Sequence, residues 1–118
     1  MSLSTAHIVF DCTDAAALAG FWAQLLERPV DEGASPFFAT VGGHGAAPLQ
    51  PPYMFLAVPE PRTGKNRLHV DLVAPELRPA VERALSLGAT HVGDFDEYGT
   101  VWTSLADPEG NLFDIAAG

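Results

Sequence analysis

Four histidines, one cysteine and a small group of cations are the side chains of this 118-residue chain that offer chemistry beyond packing. An imidazole binds a metal ion or moves a proton near neutral pH, so the histidines come first. His7 and His69 lie 62 residues apart, each in a strand-like alternation. Over residues 6–12, Ile8 and Phe10 alternate with His7, Val9 and Asp11, which puts His7 and Asp11 on one face. Leu68, Val70 and Leu72 alternate in the same way with His69, Asp71 and Val73. His44 falls within residues 42–52, whose glycines and prolines predict a loop. No Lys-Ser/Thr follows those glycines, so this is not a phosphate-binding loop, and no nucleotide cofactor is expected. His91 has no partner in either pattern and is expected to be structural or exposed. Cys12 stands alone, which leaves no internal disulfide or Cys-based zinc cluster, and it reads as a small residue at a strand end.

Fifteen acidic residues against six basic ones give a formal charge of −9, which repels nucleic-acid phosphates and anionic membrane surfaces. Neither is expected as a partner. The same charge suits a cationic ligand and, equally, a solvated acidic surface. Arg62, Lys65 and Arg67 are half of the six cations and fall within residues 61–67. That segment reads as a solvated connector, or as a place where Arg62 or Lys65 meets an anionic ligand group. Phe37, Phe38, Tyr53, Tyr98 and Trp102 are candidates to line an aromatic crevice. Trp102 alternates with Val101 and Thr103; it stacks on a flat ligand if it faces the open side and packs in the core if it does not. No apolar run approaches the roughly 20 residues of a membrane-spanning helix. Met1-Ser2-Leu3-Ser4 has neither a basic nor an apolar secretory region. A cytoplasmic protein is expected.

The elements that must position these residues follow from periodicity. Thr13 or Asp14 caps a helix whose stripe is Leu18, Phe21, Trp22, Leu25 and Leu26, and Pro29 stops it. Strands are predicted over residues 36–41 and 53–58. After the His69 strand, Pro75 suits the first position of a second helix, Leu77, Val81, Ala84 and Leu85 form its apolar face, and Gly88 follows its end. Strands over 90–95, 100–106 and 112–116 complete the chain. Asp107-Pro108-Glu109-Gly110-Asn111 makes a tight hairpin between the last two. The order strand, helix, strands occurs twice, an internal duplication. It predicts one α+β domain over residues 1–118, with module one at about 5–60 and module two at about 66–117. The two β-α-β-β-β modules would pair into a curved sheet around a cavity, with the helices on the outer face.

This order, with His7 and His69 on matching strands and the Asp107–Asn111 hairpin before the last strand, resembles the vicinal-oxygen-chelate superfamily. Glyoxalase I, extradiol dioxygenases, fosfomycin-resistance proteins and bleomycin-binding proteins belong to it. Phe21-Trp22, Lys65-Asn66-Arg67-Leu68-His69-Val70-Asp71-Leu72 and Leu105-Ala106-Asp107-Pro108-Glu109-Gly110-Asn111 are similar to its bacterial glyoxalase-like branch. The resemblance implies a divalent ion held by a residue on each module's first strand and a carboxylate on its last. His7, His69 and Asp114 match three such positions. Residues 53–58 carry no carboxylate, so the implied set has three ligands. Asp114 would lie opposite the face of Phe113 and Ile115. Two histidines and a carboxylate suffice for Fe(II), Mn(II), Zn(II) or Ni(II) with coordination positions left for substrate oxygens. Asp11 and Asp71 stand ready to orient the histidines, although residues two apart on a strand are separated by about 6.5 Å and direct contact is not expected.

The function so implied is a metal-dependent lyase, isomerase or dioxygenase acting on an unidentified small molecule. The alternative is a metal-free binding protein similar to the bleomycin-resistance proteins, with Trp102, Tyr53 and Arg62 as ligand contacts. A third reading is a structural module whose cavity is filled by side chains. Modules of the superfamily pair within one chain or across a two-fold axis, and a homodimer is expected.

Overall fold

Apolar residues at alternate positions build a three-stranded sheet in the first of two compact units, which ends at Thr63. In the computed structural model, which describes residues 2–118, this unit runs β1 (Ile8–Cys12), α1 (Ala15–Leu26), β2 (Phe38–Val41) and β3 (Tyr53–Ala57). The sheet order is β1-β3-β2, with β1 parallel and β2 antiparallel to β3. Asp14, in extended backbone, begins α1 by accepting the Ala17 N–H at 3.1 Å, one of the donors a helix start leaves unpaired. The helix ends at Glu27, in left-handed backbone, two residues ahead of Pro29. Helix α1 packs on β2 and β3. Trp22 is wholly buried, with ring centroids of Phe10, Phe21 and Tyr53 at 5.3, 5.6 and 5.7 Å.

A fourth strand was expected in this module; it contracts to a single bridge from Val30 to Val41. Pro29 on one side and the left-handed backbone of Gly33 (φ 96°) on the other leave no room for more. Asp31, between them, is 6% exposed. Its carboxylate accepts from the Thr40 hydroxyl at 2.6 Å and from the backbone N–H groups of Gly43 and His44 at 2.9 and 3.1 Å. The glycine-rich loop is therefore tied down where it begins. A Cβ on Gly43 would stand 2.8 Å from Asp31 Oδ2, which is why glycine is needed there.

The second unit, Gly64–Gly118, has β4 (Val70–Ala74), α2 (Leu77–Leu87), β5 (Thr90–Glu97), β6 (Thr100–Ala106) and β7 (Leu112–Ala117). Its order is β4-β7-β6-β5. In both units the first strand lies parallel to the last, which is the duplication in three dimensions. Helix α2 packs on β4 and β7, and Leu105, Phe113 and Ile115 form the buried face. The helix starts at Leu77, not at Pro75. Pro79 explains the shift: started at Pro75, the helix would need an N–H from residue 79, whereas from a cap at Glu76 the first such bond is Ala80 N–H to Glu76 O.

Two turns set the register. Tyr98 (φ 56°) and Gly99 (φ 74°) form a two-residue connection that carries β5 on to Glu97. Asp107, 3% exposed, closes the β6–β7 hairpin. Its carboxylate accepts from the Glu109 and Asn111 N–H groups at 2.9 and 3.0 Å and from the Asn111 amide at 2.9 Å.

Two outcomes are expected. Trp22→Ala lowers the unfolding free energy in urea by about 3–5 kcal/mol, the cost of a large cavity in a packed core. On β5, the Asp94 carboxylate is held below its ordinary pKa, first by a hydrogen bond with His91 and then by one from the Thr103 hydroxyl. The stability this confers is in place at neutral pH and is lost as pH falls through the folded-state midpoint. His91→Ala raises the Asp94 midpoint read by carboxyl NMR, and Thr103→Val raises it less.

Candidate functional site

On the face of the second sheet opposite Phe113 and Ile115, three strands bring polar residues to one level. Asp71 on β4 and Asp114 on β7 are register partners, and Ser104 on β6 is the partner of Asp114 from the other side. The Ser104 hydroxyl donates to Asp114 Oδ1 at 2.6 Å. His69, just ahead of β4, places Nδ1 2.7 Å from Asp71 Oδ1 and 3.9 Å from Asp114 Oδ2. Asn66 steadies this segment, its amide donating to Leu68 O at 3.3 Å and Leu112 O at 3.2 Å.

Two carboxylates facing each other on neighbouring strands repel unless donors or a cation lie between them. His69 serves one and Ser104 the other. The donor atoms of His69, Asp71 and Asp114 all lie within 4.8 Å of one another. An imidazole nitrogen with carboxylate oxygens is a set that fits Mn(II), Fe(II) or Zn(II), and a divalent ion would also offset the repulsion. The close His69–Asp71 contact corrects the expectation that two residues this near in sequence stand too far apart. His69 precedes the first regular residue of β4, Val70, so its side chain is not held to the strand spacing.

His69 and Asp114 are brought together; His7 is in the first unit, exposed, immediately before β1. Stepping the repeat by 62 residues sets Val9 in the place of Asp71. Val9 is the register partner of Met54, which stands in the place of Asp114. Module one thus repeats the backbone of the site with an apolar pair instead of two acids. Tyr53, expected as a ligand contact, is 7% exposed, with the rings of Phe10 and Trp22 tilted and edge-on against it at 5.5 and 5.7 Å, so we assign it to the core. Burial pushes its phenol pKa up. Arg62 is exposed near the end of the first unit. Trp102 lies on the same face as Ser104 and Asp114 and stacks on Phe95 at 5.3 Å and 17°. Ser104 was not anticipated, although a hairpin centred on Glu109 pairs it with Asp114, each five residues away. No helix among the described residues is long and apolar enough to cross a membrane.

Comparison with solved structures shows the same fold. A glyoxalase/bleomycin resistance protein/dioxygenase family enzyme from Burkholderia phytofirmans PsJN is similar at 20% identity and TM-score 0.77, with 98% of each chain covered. A mutant of the genomically encoded fosfomycin resistance protein from Listeria monocytogenes, complexed with Mn(II) and 1S,2S-dihydroxypropylphosphonic acid, is similar at 14% identity and TM-score 0.77, covering 100% of this chain and 92% of that one. The bleomycin-binding protein from Streptomyces verticillus, complexed with copper(II)-bleomycin, is similar at 16% identity and TM-score 0.66, covering 100% and 98%. A search of curated proteins found no match. The family model of the glyoxalase-like domain matches residues 7–116. From the residue before β1 into β7, then, the chain carries the pattern of that family, and it belongs to the glyoxalase-like domain family.

Proposed function

We propose that this protein is a metal-dependent enzyme of the glyoxalase or dioxygenase type, acting on a small molecule through neighbouring oxygen atoms. His69 and Asp114 would hold the ion. The observation that carries the reading is the convergence of the His69 ring and the Asp114 carboxylate on one face of the second sheet, with candidate ligand atoms within 4.8 Å of one another. A bound divalent ion would supply Lewis acidity toward a substrate oxygen. The chain's own residues do the rest: Ser104 turns Asp114 by holding Oδ1, and the Phe95–Trp102 pair offers a flat apolar wall on the same sheet. Arg62 is proposed to meet an anionic substrate group by paired hydrogen bonds.

Calorimetric titration with Mn(II), Fe(II), Zn(II) or Ni(II) tests this. One ion per chain is expected, with a higher melting temperature. Metal at about 100 times its dissociation constant adds about 2.7 kcal/mol to the folded state. His69→Ala and Asp114→Ala abolish both effects. Absence of stoichiometric binding, or identical melting of these variants and the unaltered protein in metal, refutes the proposal.

The Phe95–Trp102 stack favours one second reading, a metal-free pocket for a flat cationic ligand. Saturable quenching of Trp102 fluorescence by a cationic glycopeptide in chelator, lost in Trp102→Ala, would support it. No saturation at millimolar concentration removes it.

A further inference from the structure

We infer that Asp71 is a positioning residue that fixes His69 in the Nδ1–H form and so presents Nε2 as its ligand nitrogen. The inference rests on the proposed reading of His69 as a metal ligand and goes beyond it by assigning the atom that binds and the group that selects it. The two atoms in contact, His69 Nδ1 and Asp71 Oδ1, are 2.7 Å apart, the length of a charge-assisted hydrogen bond. An ionised carboxylate only accepts hydrogen bonds, so Nδ1 must carry the hydrogen. In the neutral ring the lone pair then belongs to Nε2. The second carboxylate does not oppose this choice: Asp114 Oδ2, 3.9 Å from the same Nδ1, also favours a hydrogen there. Its Oδ1 is held by the Ser104 hydroxyl, so that oxygen does not turn toward the ring.

The backbone explains why Asp71 is available for this task. It is the first outward-facing residue of β4, and its strand partner is Asp114, so its carboxylate stands beside the site whatever His69 does. Half of the His69 side chain remains exposed, so its ring is not enclosed by the protein. Module one, with Val9 in the corresponding position, has no carboxylate two residues after His7. A carboxylate two residues on is thus a feature of the His69 strand and not of the His7 strand.

The test separates the tautomer from metal binding. In metal-free protein, well above the ordinary imidazole pKa of about 6.5, 15N NMR is expected to show His69 protonated at Nδ1. Asp71→Ala should shift it toward the Nε2–H form that a free imidazole prefers. Asp71→Asn, whose amide oxygen still accepts, should retain Nδ1–H. Mn(II) affinity should fall about 10–100-fold in Asp71→Ala, the usual cost of losing a carboxylate behind a ligating histidine, and stay within a few-fold of the unaltered protein in Asp71→Asn. An unchanged tautomer in Asp71→Ala overturns the inference, with or without metal. So does an affinity loss in Asp71→Asn equal to that in Asp71→Ala, which would make Asp71 a direct ligand. If the unaltered protein shows the Nδ1–H form but binds no ion, the proposed function fails and the assignment of the tautomer stands.

Discussion

The buried carboxylate of Asp107 is the constraint on which the second module depends. Taking an ionised group out of water is costly unless its oxygens are fully hydrogen-bonded, and here backbone and amide donors from Glu109 and Asn111 surround it. Those bonds define one geometry for the turn and therefore one register for β6 against β7. A slip of one residue would exchange the two faces of β7, sending Asp114 into the core and Phe113 out of it. Because β7 is also the strand against which β4 lies, the pairing of Asp71 with Asp114 inherits the same setting. A turn with no reactive role thus decides whether the polar residues of three strands arrive at one level.

Much of this could be read from residue types. Alternation around His69 and in 112–116 separates the apolar face from the polar one, and the hairpin's Pro and Gly mark its turn. The parts that escaped reading each have a local cause. Pro79 moves the start of α2 by removing an N–H that an earlier start requires. Tyr98 occupies a left-handed turn position that usually takes Asn, Asp or Gly, so the extension of β5 to Glu97 had no visible signal. Strand spacing argues against the His69–Asp71 bond, but that argument holds only for residues inside a strand, and His69 lies just outside one. Trp102 was open between two faces because alternation orders residues relative to one another and does not say which side is buried. Neighbouring Leu105 and its partner Phe113 settle that.

The two modules keep the same parallel pairing of first and last strands but differ in the side chains it brings together. Val9 faces Met54 in the same parallel register in which Asp71 faces Asp114. Identical strand pairing carries an apolar contact in one module and a charged one in the other. The pairing itself is made by backbone hydrogen bonds, which do not depend on what the side chains are. That independence lets one copy of the repeat carry the polar cluster while the other carries the largest aromatic core.

Asp31 gives the first module a different kind of freedom. It grips the N–H groups of Gly43 and His44, while Arg28 meets the Ala47 carbonyl and the Leu49 N–H returns to Gly42. All of these holds are on main-chain atoms. These bonds are accordingly indifferent to the side chains at His44, Ala46 and Ala47, so what those positions display can change without redrawing the course of the chain. Substitution there keeps these bonds, whereas loss of the Asp31 carboxylate would release the loop at its root.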